Sequence, residues 1–198
     1  SGSRFVIAIG QAIFLVLFLI LYGDCIAARQ RIGAVYFFSR ISNRKKWILK
    51  EFVWLLFYSV LYTFCFVGMH MIFSIWGSSE ADLSGTLFKV AFQIGLFLTL
   101  LLFEMAVLCN LFCAAGGSAI GILLSMLCVI GLIMWSTAEV DGVVSEMINP
   151  MWLSADIIEN GGSYIQKIII VFLQTAICAV GTGYYLAKRD LFAREGEG

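Results

Sequence analysis

Five unbroken apolar runs, at residues 5–22, 52–76, 90–113, 118–136 and 168–187, take up more than half of this 198-residue chain. Each is close to the roughly 20 apolar residues that an α-helix needs to cross the hydrocarbon core of a bilayer. None alternates apolar and polar residues with the period of 2 that a membrane β-barrel requires. In lipid every backbone N–H and C=O must find its partner inside the segment, which leaves helices. Composition agrees: 61% of residues are hydrophobic and 13% charged, against about 45–50% and about 25% in soluble domains. The single proline and the high apolar content also exclude a disordered chain. The expected fold class is an all-α integral membrane protein with five transmembrane helices, forming one transmembrane domain over 1–198.

The net charge of zero hides a segregated pattern. Segment 24–51 carries seven basic residues (Arg29, Arg31, Arg40, Arg44, Lys45, Lys46, Lys50) against two acids. Segments 77–86 and 137–163 carry no Lys or Arg; their charges are Glu80 and Asp82, then Glu139, Asp141, Glu146, Asp156 and Glu159. Short basic loops stay in the cytoplasm. The first loop is therefore expected inside and the two acidic loops outside, with the N-terminus out and the C-terminus in. Lys89 and Lys167 flank the outer ends of spans, where their stems can snorkel. The expected location is the cell membrane, multi-pass. An outside N-terminus with five spans, in a chain that opens Ser1-Gly2-Ser3, leads to the expectation of one more helix before residue 1. The charge balance offers nothing for nucleic acid.

The basic segment 24–51 is not a simple turn. Ile32, Val35 and Tyr36 lie at helical spacing, with Arg29, Arg31 and Arg40 around them. Ser42 or Asn43 is placed to cap a helix running through Trp47 into the second span. The basic side chains and Trp47 suit headgroup anchoring. The run Tyr36-Phe37-Phe38 instead suggests an exposed aromatic patch for a protein partner. Segment 137–163 reads as two short amphipathic pieces parted by Asn149-Pro150, forming extracellular helices before the last span.

Within the spans the polar residues are few: Gln11, His70, Gln93, Glu104, Asn110 and Gln174. Ionisable groups in hydrocarbon are costly and face protein or water. Glu104, with Asn110 on its cytoplasmic side, is thus a candidate for a substrate path or for hydrogen-bonded packing. Gly117-x3-Gly121-x3-Ser125 and Ala179-x3-Gly183 are faces for close helix approach. There is no GxxxxGK[ST], HExxH or GxSxG, and the lone His70 leaves no nucleophile–base pair. No catalytic, cofactor or metal residue is assigned, and the chain is not read as an enzyme. The six cysteines lie in spans or at the cytoplasmic edge, where Cys109 and Cys113 share a helix face as small apolar packing groups.

The stretch from Arg31 through Lys50 resembles the cytoplasmic loop of ABC-2-type transporter permeases. In that family a basic residue and a Gly-Thr-like pair open a short coupling helix, and a Pro-x-Ser-Arg-like turn leads to an apolar run with a Lys. Here Arg31 and Gly33-Ala34 open the stretch, and Ser42-Asn43-Arg44 and Lys50 stand at the turn and helix start. Ala34 stands where the family has Thr, and the turn lacks Pro. Asn149-Pro150-Met151-Trp152 and the ending Lys188-Arg189-Asp190-Leu191 are also similar to the family. The small permeases of antimicrobial-peptide export and immunity systems are the most similar type.

The resemblance implies that the five spans are helices two to six of a six-helix bacterial permease, an exporter subunit for a peptide, drug or lipid-like substrate. It implies ABC ATPase subunits as partners, which would bind ATP and Mg, and a second permease subunit, identical or related. Arg31, Gly33, Tyr36, Phe37, Phe38 and Arg40 would form the ATPase-coupling surface, and Glu104 would lie near the path. The competing reading is a membrane assembly or immunity protein that binds a partner without moving a substrate.

Overall fold

The computed structural model describes residues 2–33, 44–77, 85–137 and 165–188. Among these, only Gly23, Asp24 and Gly117 fall outside helix. The helices are α1 (Gly2–Tyr22), α2 (Cys25–Gly33), α3 (Arg44–Gly77), α4 (Gly85–Gly116), α5 (Ser118–Thr137) and α6 (Ile165–Lys188). Four apolar stretches are long enough to cross a membrane: Ile9–Arg31, Arg44–Phe73, Phe88–Gly116 and Ile168–Lys188. The fifth, α5, has 20 residues, or about 30 Å at 1.5 Å per residue.

α4 is the centre of the bundle. Two-thirds of its spanning stretch (67%) is buried, against 17–39% in the other three. Its residues Phe97, Leu98, Leu101, Leu102, Ala106 and Val107 form the core with Leu15, Phe18 and Leu19 of α1 and Leu55 of α3. The opposite faces of the outer helices carry bare apolar side chains, such as Phe57 and Phe64 on α3 and Phe172, Ile177 and Val180 on α6. That much exposed hydrocarbon, ringing the bundle, is a lipid-facing surface.

α1 and α3 meet through two aromatic ladders. Phe14, Phe18 and Tyr22 recur every four residues on α1, as do Tyr58, Tyr62 and Phe66 on α3. The four-residue repeat keeps each set on one helix face, and the rings interleave at centroid distances of 4.8 Å (Phe14–Tyr62), 4.2 Å (Phe14–Phe66), 5.2 Å (Phe18–Tyr62) and 5.0 Å (Tyr22–Tyr58). Offset and tilted pairs in this range contribute about 0.5–1.5 kcal/mol each beyond their buried area.

α4 and α5 are joined by a single residue. Gly117 has φ +97°, the left-handed region that a side chain disfavours by roughly 1–2 kcal/mol. Its N–H donates to the Cys113 carbonyl (3.0 Å) and its carbonyl accepts from Gly121 N–H (2.9 Å). One glycine thus closes α4 and opens α5. The chain folds back so tightly that a Cβ on Gly121 would collide with the backbone nitrogen, Cα and Sγ of Cys113. Gly183 likewise gives room to Phe52, whose Cε2 lies 3.2 Å from where its Cβ would be. Both small-residue faces noted in the sequence are therefore contact faces, α5 on α4 and α6 on α3.

The short helix expected across Ile32 and Tyr36 begins earlier. α2 starts at Cys25, two residues after α1 ends, and reaches Gly33. The cause is the Gly23-Asp24 turn: Gly23 N–H still donates to Leu19 (2.8 Å), and the Asp24 carbonyl already accepts from Ala28 N–H (2.7 Å). A Cβ at Gly23 would lie 2.8 Å from Cys109 Sγ, so the bend needs the missing side chain to sit against α4. Tyr36, Phe37, Phe38, Arg40 and the cap at 42–43 lie outside the described residues, as do the expected outer helices within 137–163.

Candidate functional site

The polar side chains of the described residues concentrate where α1 turns into α2. The first turn of any helix leaves backbone N–H groups without intrahelical acceptors. In α2 two of these, Ile26 and Ala27, donate to Oδ1 of Asn110 on α4, at 2.9 and 3.1 Å. Asn110 is fully buried, and its Nδ2 donates to the Ala106 carbonyl at 2.8 Å, fixing the amide's orientation. Ordinarily the residue before a helix supplies such a cap. Asp24 holds that position, but its Oδ2 accepts from Ser118 Oγ (3.0 Å) at the start of α5. Arg31, two α2 turns further on, donates Nη2 to the same Ser118 oxygen.

The third tie runs to α3. Arg29 Nη1 pairs with Glu51 Oε2 at 2.5 Å. The Glu51 side chain is 8% exposed and that of Arg29 54%, so the carboxylate is buried while the cation stays half in water. One nine-residue helix and its turn are thus held by α3, α4 and α5 at once, through backbone amides to α4 and side chains to α3 and α5. The effect is mechanical: α2 cannot tilt or slide without loading three spanning helices.

Glu104 lies two turns deeper on α4 and faces α6. Its Oε1 accepts from Gln174 Nε2 (2.8 Å) and its Oε2 from Thr175 Oγ1 (3.3 Å), which also bonds the Val171 carbonyl (2.8 Å). Glu104 is 6% exposed, so each carboxylate oxygen meets a protein donor and not bulk solvent. His70 is exposed and packs edge-on to Phe66 at 4.5 Å. Cys109 and Cys113 lie one turn apart, both buried, their sulfurs 4.0 Å from each other.

The structure therefore brings Arg31 and Asn110 to one site and sets Glu104 apart, in a separate α4–α6 contact. Gly33 is the last residue of α2. Asp24, Arg29, Glu51 and Ser118 belong to the site although sequence reasoning did not single them out as functional. The one local signal was Gly23-Asp24, a helix stop followed by a helix start; the partners on other helices are not encoded at any fixed spacing.

The fold and this site define a multi-pass, all-helical membrane protein with a short helix braced against its spanning bundle. Comparison with family models, with curated proteins and with solved structures returns no match.

Proposed function

We propose that this chain is the permease subunit of an ATP-driven exporter of the ABC-2 type, in the cell membrane of a bacterium, with its N-terminus outside and its C-terminus inside. Separate ABC ATPase subunits would bind ATP and Mg and perform the hydrolysis. A second permease subunit would complete the path for a peptide, drug or lipid-like substrate. The observation that carries this reading is the bracing of α2. It opens the basic, cytoplasmic segment, and Asn110, Ser118 and Glu51 tie it to α4, α5 and α3. A partner that grips α2 and the segment behind it (Arg31, Gly33, Tyr36, Phe37, Phe38, Arg40) would move these helices together, as a rigid-body switch requires.

One observation favours the second reading, a membrane assembly or immunity protein without a path. Glu104 and Asn110 both spend their hydrogen bonds on protein groups. The two readings separate in inside-out vesicles supplied with ATP and fluorescent peptides or lipids. ATP-dependent accumulation that needs this chain supports the exporter. A stable partner complex without ATP-linked movement supports the second reading.

A further inference from the structure

Glu104 is the one acid inside the five apolar runs, and in the folded chain it is buried. A charge in hydrocarbon is held by a cation, by water or by several hydrogen-bond donors that replace its lost hydration. The side chains that act on Glu104 are Gln174 and Thr175 of α6, with the Cys178 thiol one turn beyond Gln174. Among the described residues no Lys, Arg or His and no second carboxylate faces it from any of the six helices.

The hydrogens in this contact can be counted. Gln174 Nε2 donates to Oε1 at 2.8 Å whether the carboxyl is ionised or not. Thr175 Oγ1 has two oxygens within reach, the Val171 carbonyl at 2.8 Å and Glu104 Oε2 at 3.3 Å. A hydroxyl carries a single hydrogen. The bond to the carbonyl four residues back is the usual one for Thr inside a helix, and here it is the shorter of the two. With the hydrogen on Val171, an ionised Glu104 would turn Oε2 toward the lone pairs of Thr175 with no hydrogen between two buried oxygens. Gln174 would be its one donor.

A protonated Glu104 closes the chain. Its Oε2–H donates to Thr175, Thr175 donates to Val171, and Gln174 donates to Oε1. Each hydrogen has its acceptor, and no charge remains between α4 and α6. Loss of the proton would pull the Thr175 hydroxyl away from Val171 and leave an unpaired negative charge at the contact. The closed α4–α6 contact therefore favours the proton-bound state, and proton binding favours the closed contact.

We propose that Glu104 is a proton-binding site that holds its proton at neutral pH, the acid donating to Thr175 and tying α4 to α6. The site is separate from the braced α2 and does not depend on the exporter reading. The test uses the full chain in phosphatidylcholine vesicles, with infrared spectra recorded at neutral pH. The C=O stretch of a protonated carboxylic acid, moved by [13C]glutamate and by D2O, is expected in the wild type. It should vanish in Glu104→Gln and shift without vanishing in Thr175→Val. Dicyclohexylcarbodiimide supplies the assignment in wild-type protein. The acid O–H adds across one C=N bond of the reagent, and the adduct rearranges to an N-acylurea with nothing leaving, a step that needs the carboxyl proton. The reagent should erase the band and leave its mass on Glu104. No glutamic acid band in the folded wild type would overturn the proposal, whether or not the variants fold. So would a band that survives in folded Glu104→Gln, a band unmoved in folded Thr175→Val, or loss of the band with the adduct on another glutamate.

Discussion

Asn110 caps a helix to which it does not belong: its side-chain oxygen takes the Ile26 and Ala27 amides of α2 at 2.9 and 3.1 Å. Asn110→Leu strands both amides in a buried setting, a loss of about 1–3 kcal/mol. Asn110→Asp keeps the acceptor and places a negative charge at a helix N-terminus, where it is favourable. Hydrogen exchange at the two amides should be about tenfold faster or more in Asn110→Leu and near wild type in Asn110→Asp. Equal protection in all three proteins would remove Asn110 from the brace.

The Arg29–Glu51 pair is asymmetric, and so are the expected effects of breaking it. Arg29→Gln leaves a buried carboxylate without its cation, whereas Glu51→Gln leaves a half-exposed guanidinium that water can serve. Removing one partner of a buried pair is the damaging change, but the exposure of Arg29 moderates it. Arg29→Gln should lower stability by about 1–2 kcal/mol and Glu51→Gln by less, as read from thermal melting in detergent. A larger loss in Glu51→Gln would contradict the assigned geometry.

Gly121 marks a backbone contact and Gly131 an open face of the same helix. Gly121→Val would drive its side chain into Cys113, and overpacking of this kind costs about 1–3 kcal/mol, occasionally more. At Gly131 nothing lies within 4 Å of an added Cβ. Gly131→Val is therefore expected to melt near wild type and Gly121→Val well below it. Equal melting of the two would mean that α5 does not fold back on α4 at this position.

Glu104 distinguishes a packing contact from a transport path. Glu104→Gln retains an acceptor oxygen for Gln174 or Thr175, so it should fold and, if the contact is structural, support full activity. Glu104→Leu leaves Gln174 without its partner and should lose about 1–3 kcal/mol. A folded, stable Glu104→Gln protein that no longer moves substrate would place the carboxylate on the path instead.

How much was legible beforehand differs between span and site. Hydropathy located every long helix but marked only the apolar part of α3, from residue 52; its start at Arg44 was legible instead in the Ser42 or Asn43 cap signal leading through Trp47 into the span. Arg44, Lys45, Lys46, Lys50 and Glu51 are good helix formers that happen to be polar, so the apolar run marks where lipid suits the helix and not where the helix ends. The start of α2 was missed because apolar periodicity pointed to Ile32 and Tyr36, while the turn at Gly23-Asp24 sets the true beginning. The small-residue faces at Gly121 and Gly183 were visible as spacings, though not which helix each would meet. The brace could not be read at all: Asn110 and Ile26 are 84 residues apart, and only folding brings a buried amide to a helix end.

The proposed function rests on an ATPase gripping the basic segment, and one purification tests that directly. The tagged chain, extracted from native membranes in mild detergent, is expected to bring down an ABC ATPase. Tyr36→Asp or Phe37→Asp, which place charge on the aromatic patch, should release that ATPase while the chain itself stays folded. Absence of any ATPase from the wild-type complex, or full retention of it with ATP-dependent transport in both variants, would contradict the account.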